Sequence, residues 1–214
     1  MPQPHFLKGA AIGLAALGLS ACVGAYTGPV EVTTFAAAEP ALLGQGTIAL
    51  QFSPELKSGG AIEAFRGAVS DELSLAGYTV IDNEDIADQI ARVDTSRTPV
   101  AVAGSGNPVN VGVGGSTGTF GSGVGVGLGI NLGGGGNNKP RVISELSVAI
   151  SENSADTNAR NLWEARAQFT TGIDSSFAPM AVNARTLAAA VFEGFPAGDG
   201  ETISLDADDL VQAE

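Results

Sequence analysis

The chain has one imidazole and one thiol, His5 and Cys22, and both fall within the first 22 of its 214 residues. Beyond Cys22, Ser-His-Asp and Cys-His arrangements, imidazole general bases and nearly every zinc geometry lack a necessary part. A hydrolase built from this sequence would have to run on carboxylates or lysine. The paired acids Asp71-Glu72 and Glu84-Asp85 do not suit that work, because neighbouring positions on a helix point in different directions. They read as solvated faces. Asp206-Ala-Asp-Asp209 lacks the spacing, central glycine and distal glutamate of a calcium loop and reads as a frayed acidic tail. No catalytic residue and no metal ligand is therefore expected, and the chain reads as non-enzymatic.

The surroundings of Cys22 point to chemistry of another kind. An apolar stretch from about Gly9 to Leu19 follows Lys8, within the roughly 7 to 15 residues of a signal-peptide core and short of the ~20 that span a bilayer. Leu19-Ser20-Ala21-Cys22 closes it with small residues. This resembles the lipobox of bacterial lipoproteins, with an ordinary secretory signal as the rival reading. The resemblance implies that Leu19, Ser20 and Ala21 serve signal recognition, that the chain is cut before Cys22, and that Cys22 takes a diacylglyceryl group and further acylation. One acyl chain holds a protein to a membrane only marginally, at ~0.8 kcal/mol per buried methylene, whereas two or three make a durable anchor. In such lipoproteins an aspartate after the cysteine holds the protein at the inner membrane. Val23 stands there, so the implied address is the periplasmic face of the outer membrane.

Removing residues 1–21 from the 214 leaves 193, enough for one ordinary domain with a real core. Lys8 is the only charged side chain of the leader, so the remainder carries a formal net charge of −14 against −13 for the whole. Such a surface repels phosphate backbones and anionic lipid, which disfavours nucleic-acid binding and electrostatic membrane docking. Attachment to the membrane is expected through the lipid. With Cys22 consumed by that lipid, no disulfide, thiolate metal site or other cofactor is expected.

The patterning predicts an α+β domain: an antiparallel or mixed sheet with two helices on one face and a long glycine-rich hairpin or loop. After a lipidated tether over 22–29, the domain is expected over 30–205, with the insert at 104–136 and the acidic tail at 206–214. Val30 to Phe35 and Gly46 to Phe52 read as strands. Ile62, Phe65, Val69, Leu73 and Ala76 share one face of a helix that Gly77 would cap, and Tyr78 to Ile81 resumes as a strand. Asn83 to Asp85 reads as a turn, and Asp88 to Thr95 as a strand with poor alternation because Arg92 shares a face with Ile90. Arg141 to Ser151 and a strand carrying Trp163, Ala165, Ala167 and Phe169 inward form a hairpin. Trp163 in that stripe reads as a core anchor rather than a stacking platform for a ligand. Pro179 suits the first turn of a second helix with Met180, Ala184, Leu187, Val191 and Phe192 on its apolar side, and a short strand follows at Thr202 to Leu205.

Residues 98 to 138 contain no charge, and 104 to 136 hold 15 of the 30 glycines. Val109, Val111 and Val113, then Val124, Val126, Leu128, Ile130 and Leu132, alternate with glycine or asparagine. Two ribbons joined by 114–123 are implied. No Gly-Lys-Ser/Thr and no helix pattern follows, which argues against nucleotide binding. The segments have the length of transmembrane strands but lack aromatic girdles, and ordering so much glycine is entropically costly, so a hairpin or loop beside the sheet is favoured over a pooled barrel. Val124, Val126, Leu128 and Ile130 are the candidate interaction hairpin, toward another envelope protein or a second copy.

A lipobox, Val32-Thr-Thr-Phe35, Leu75-Ala-Gly-Tyr78, Ala87-Asp88, a glycine-rich insert, Leu162-Trp163, Phe192-Glu-Gly-Phe195-Pro196 and Gly200-Glu201 follow one another in an order that resembles the bacterial lipoprotein family called domain of unknown function forty-one thirty-six. Glu164-Ala165 departs from that pattern, in which a basic residue and glycine follow the tryptophan. The family has no established activity, so the resemblance implies location and fold. Two functions fit these expectations: an envelope assembly or interaction module, or a carrier of a lipid or small apolar ligand in a cleft lined by Phe65, Val69, Leu187 and Val191.

Overall fold

The structure, a computed structural model, describes residues 25–37, 42–53, 60–100, 110–112, 129–131, 139–154 and 161–212. Strands β1 (Thr27–Ala36), β2 (Thr47–Phe52), β3 (Thr79–Ile81), β4 (Gln89–Val100), β7 (Arg141–Glu152), β8 (Asn161–Gly172) and β9 (Asp199–Leu205) form one open sheet in the order β3-β2-β4-β7-β8-β1-β9. β2 runs parallel to both β3 and β4, and every other pairing is antiparallel, so the sheet is mixed. Helices α1 (Gly60–Leu75) and α2 (Met180–Phe192) pack against each other, and α2 lies over β1, β7 and β8. The expected α+β architecture is present.

Alternation along β8 explains why the sheet has one greasy face. Trp163, Ala165, Ala167 and Phe169 are buried beneath α2, while Glu164, Arg166 and Gln168 take the opposite side. There Arg166 donates to Glu164 at 2.9 Å, and Gln168 and Ser96 both donate to Glu145. Around these residues the outer face is polar and hydrogen-bonded, while Ile143, Gln168 and Thr170 on the same face are buried. A small apolar cluster of Ala49, Ala87 and Ile90 lies on that outer side, which accounts for Ile90 sharing a face with Arg92. The core face of β4 is carried by Ala91 and Val93 instead.

The helix ends follow local chemistry. Gly77 has φ +105°, the left-handed conformation that lets Tyr78 N–H return to the Leu73 carbonyl at 3.0 Å. A Cβ at Gly77 would meet the Gly44 carbonyl oxygen at 2.5 Å, so two loops close on each other only with glycine there. Asn83 caps a short 3-10 turn, Glu84–Ile86, by accepting from Asp85 N–H, where the sequence suggested a simple turn.

Three expectations need correction. β1 begins at Thr27, within the stretch assigned to the tether, because its ladder with β8 continues past an irregularity at Gly28-Pro29 to pair Thr27 with Thr171. β4 runs on to Val100, five residues past Thr95, with every residue in register against β7. The frayed tail is instead a third helix, α3 (Ala207–Gln212), in which Asp206 accepts from Asp208 N–H and Ala207 is buried. Of the glycine-rich segment, the backbone is described only for β5 (Asn110–Gly112) and β6 (Gly129–Asn131), paired with Val111 opposite Ile130. Val124, Val126 and Leu128 lie outside the described residues.

Candidate functional site

The antiparallel registers bring several chain ends together at one end of the sheet. Thr27 is paired with Thr171, Arg141 with Gly172, and Val100 with Arg141. The start of the folded domain and both ends of the glycine-rich connection therefore meet at the same rim. Tyr26 is pinned there by its carbonyl, which accepts from Gly172 N–H at 2.7 Å, and by the Arg141 guanidinium, 3.8 Å from its ring centroid. Lys139 and Asp174 form an exposed ion pair at 2.9 Å, and Thr27 and Ser175 join hydroxyls at 2.8 Å. Ile173 stands half exposed beside them, at 52%. Tyr26, Lys139, Arg141, Gly172, Ile173 and Asp174 line a cleft of only about 10 Å3, too small for a ligand, so the rim is a surface rather than a pocket.

The opposite end gathers several of the residues that carry the family resemblance, among them Trp163, Tyr78 and Asp88, and these three have packing or hydrogen-bonding tasks. Trp163 is 1% exposed, stacked on Phe192 with centroids 5.3 Å apart and edge-on to Phe195 at 5.1 Å. Its indole N–H donates to the Ala197 carbonyl. It is the core anchor the strand period implied. Tyr78 O–H donates to Gln89, whose amide in turn donates to the Leu42 carbonyl. Burial pushes the Tyr78 phenol above its ordinary 10.0, so it stays a neutral donor at physiological pH.

Asp88 clamps the starts of β2 and β4. Its carboxylate accepts from Thr47 N–H at 2.8 Å and from the Thr47 hydroxyl at 2.7 Å, and Asp88 N–H donates back to that hydroxyl. These bonds, the backbone one first, hold the carboxyl below its ordinary 3.8. A depressed folded value means that the clamp's contribution is complete above the ordinary value and is lost as pH falls through the folded one. We expect the thermal midpoint of Asp88→Asn to lie below that of the parent at neutral pH, with the gap closing under acid. Melting curves from neutrality to about pH 2 check this, and a gap that widens in acid would contradict it.

Among the described residues the acidic side chains do not gather into a metal-binding set: no group of three or more His, Cys, Asp or Glu side chains could hold a metal ion. The buried hydroxyls of Ser144 and Thr171 have no hydrogen-bond partner, so neither has the adjacent base that would make it a nucleophile. Phe65, Val69, Leu187 and Val191, expected to line a carrier's cleft, are at most 3% exposed and belong to one continuous core. That expectation is corrected: the four close on the core.

A groove of about 560 Å3 lies elsewhere, on the outer side of α1, α2 and α3. Its apolar lining includes Leu75, Val182, Leu205 and Leu210. Its rim carries Asp71, Glu72, Glu193, Asp206 and Asp209 against a single Arg185. This groove was not legible in the sequence, because α3 was read as a tail. Leu19, Ser20, Ala21 and Cys22 lie outside the described residues, and Ile130 is described by its backbone alone. Among the described residues no helix is long and apolar enough to cross a membrane.

No family model matches the chain. No curated protein matches it in sequence. Among solved structures it is similar to a PDZ domain protein from Parabacteroides distasonis, at 14% identity and a TM-score of 0.44, over 85% of this chain and 38% of that one. It therefore spans well under half the length of that protein. It is also similar to a minor lipoprotein from Acinetobacter baumannii, at 10% identity and a TM-score of 0.31, covering 70% of this chain and 92% of the other. A DUF4136 family protein from Bacteroides thetaiotaomicron is similar at 15% identity and a TM-score of 0.33, over 72% and 92% of the two chains. Likeness at this level says nothing about activity.

Proposed function

We propose that this chain is a non-enzymatic lipoprotein of the bacterial envelope, held at the periplasmic face of the outer membrane by lipid on Cys22, where it acts as an interaction module. The observation that carries the reading is the placement of Cys22: a lone thiol behind a short apolar run and small residues, five positions before the first strand. One surface of the folded domain supports the interaction reading. β9 is an open edge of the sheet, with its outer backbone unpaired by any other described strand and Ile203 exposed at 45%. Edges of this kind take an added strand from a partner. The carrier reading loses support because its four cleft residues fill the core.

Photo-crosslinking in intact cells tests the interaction module, with the reactive residue placed at Ile203 on β9 and at Val124, Val126, Leu128 and Ile130. We expect adducts of discrete mass from at least one of these surfaces, to an envelope protein or to a second copy. Absence of adducts from every position contradicts the module.

A further inference from the structure

We propose that the rim formed by Tyr26, Lys139 and Ile173 rests on the phospholipid bilayer and is the protein's lipid-facing surface. The inference rests on the anchor reading and adds which side of the domain faces the membrane. Three residues, and so four Cα steps, separate Cys22 from Tyr26, a reach of at most about 14 Å when fully extended. A headgroup layer is itself roughly 5 to 8 Å deep, so this end of the sheet cannot stand far off from a bilayer that holds the Cys22 lipid.

The rim has the chemistry of an interfacial contact. Tyrosine favours the boundary between headgroups and acyl chains, and a lysine stem lies along apolar surface while its ammonium stays wet. Tyr26 is 37% exposed and held in place by Arg141, and Ile173 presents a half-exposed aliphatic side chain. Lys139, Arg141 and Asp174 make the cleft locally positive by one charge, whereas the groove across the helices has five acids to one arginine. In a chain with a strong overall negative charge, the rim thereby offers the lipid phosphates a locally positive patch. Val100 and Lys139, where the chain leaves and re-enters the sheet around the uncharged connection, sit at this same rim.

The test uses the full lipidated protein in vesicles of phosphatidylethanolamine and phosphatidylglycerol. With Cys22 blocked by lipid, Ile173→Cys supplies a single thiol for an environment-sensitive fluorophore. Leu75→Cys, at the far end of α1 and 81% exposed in the parent, is the control. We expect a blue-shifted emission at position 173 and quenching by acyl-brominated lipid several-fold stronger than at position 75. Equal, water-like behaviour at both positions, with the protein still floating with the vesicles, overturns the seating and leaves the anchor intact. Shielding of position 173 from aqueous iodide without lipid quenching assigns the rim to a protein contact and likewise overturns it. Failure to float, with a free thiol at position 22, removes the anchor reading and this one together. Tyr26→Cys, read in the same way, guards against a variant at 173 that does not fold.

Discussion

Replacing Cys22 by serine in the full precursor is expected to abolish the lipidated species altogether. A serine hydroxyl does not take the thioether, and cleavage before residue 22 follows that modification in the lipoproteins this leader resembles. The variant should accumulate with residues 1–21 attached, and no acylated form should appear in the outer-membrane fraction. The effect is large because the anchor is cooperative in its chains: each buried methylene contributes ~0.8 kcal/mol, and one chain alone gives only marginal binding. The folded domain offers no compensating span among its described helices. Fractionation followed by intact mass measurement reads the outcome directly. A serine variant that is processed and membrane-bound like the parent would contradict the account.

Trp163→Ala is expected to be the most damaging single change within the domain. The indole is 1% exposed and sits between Phe192 and Phe195, so its removal opens a cavity under the end of α2. Large aromatic truncations of this kind cost about 3 to 5 kcal/mol. Set against a net stability of about 5 to 15 kcal/mol for a typical domain, that is a large share of the whole. Urea titration should show the midpoint fall with little change in slope. Leu75→Ala, at a side chain 81% exposed, should change stability by no more than about 0.5 kcal/mol. A Trp163→Ala midpoint equal to that of Leu75→Ala would show that the tryptophan is not a core anchor.

Much of the fold was legible where a local period reports burial. Trp163, Ala165, Ala167 and Phe169 alternate with polar residues on β8, and Phe65, Val69 and Leu73 recur at helical spacing on α1, so the core-facing side of each could be assigned from residues a few positions apart. Gly77 announced its own cap. The extension of β4 was not legible, because 96–99 is Ser-Arg-Thr-Pro and its strand conformation comes from the long ladder with β7. α3 was hidden for a similar reason: six residues with an acidic first turn make no stable helix alone, and burial of Ala207 and packing of Leu210 on the core hold it. The groove that α3 completes was hidden with it.

The candidate site divides along the same line. Cys22 is read from a contiguous motif, so the sequence suffices to nominate it. The rim at Tyr26, Lys139 and Ile173 gathers residues from three separate stretches, and only the order β4-β7-β8-β1 brings them together. Within the domain, several residues of the family resemblance have structural work: Asp88 ties two strands, Tyr78 bonds Gln89, and Trp163 with Phe192 and Phe195 fills the far end of the core.

The account stands on the chemistry of one sulfur, and mass spectrometry of the amino-terminal peptide from protein purified from its native host tests it most directly. The predicted result is a chain that starts at Cys22 and carries a diacylglyceryl thioether with a further acyl group on the new terminus. A free sulfhydryl at Cys22, or residues 1–21 still in place, would contradict it.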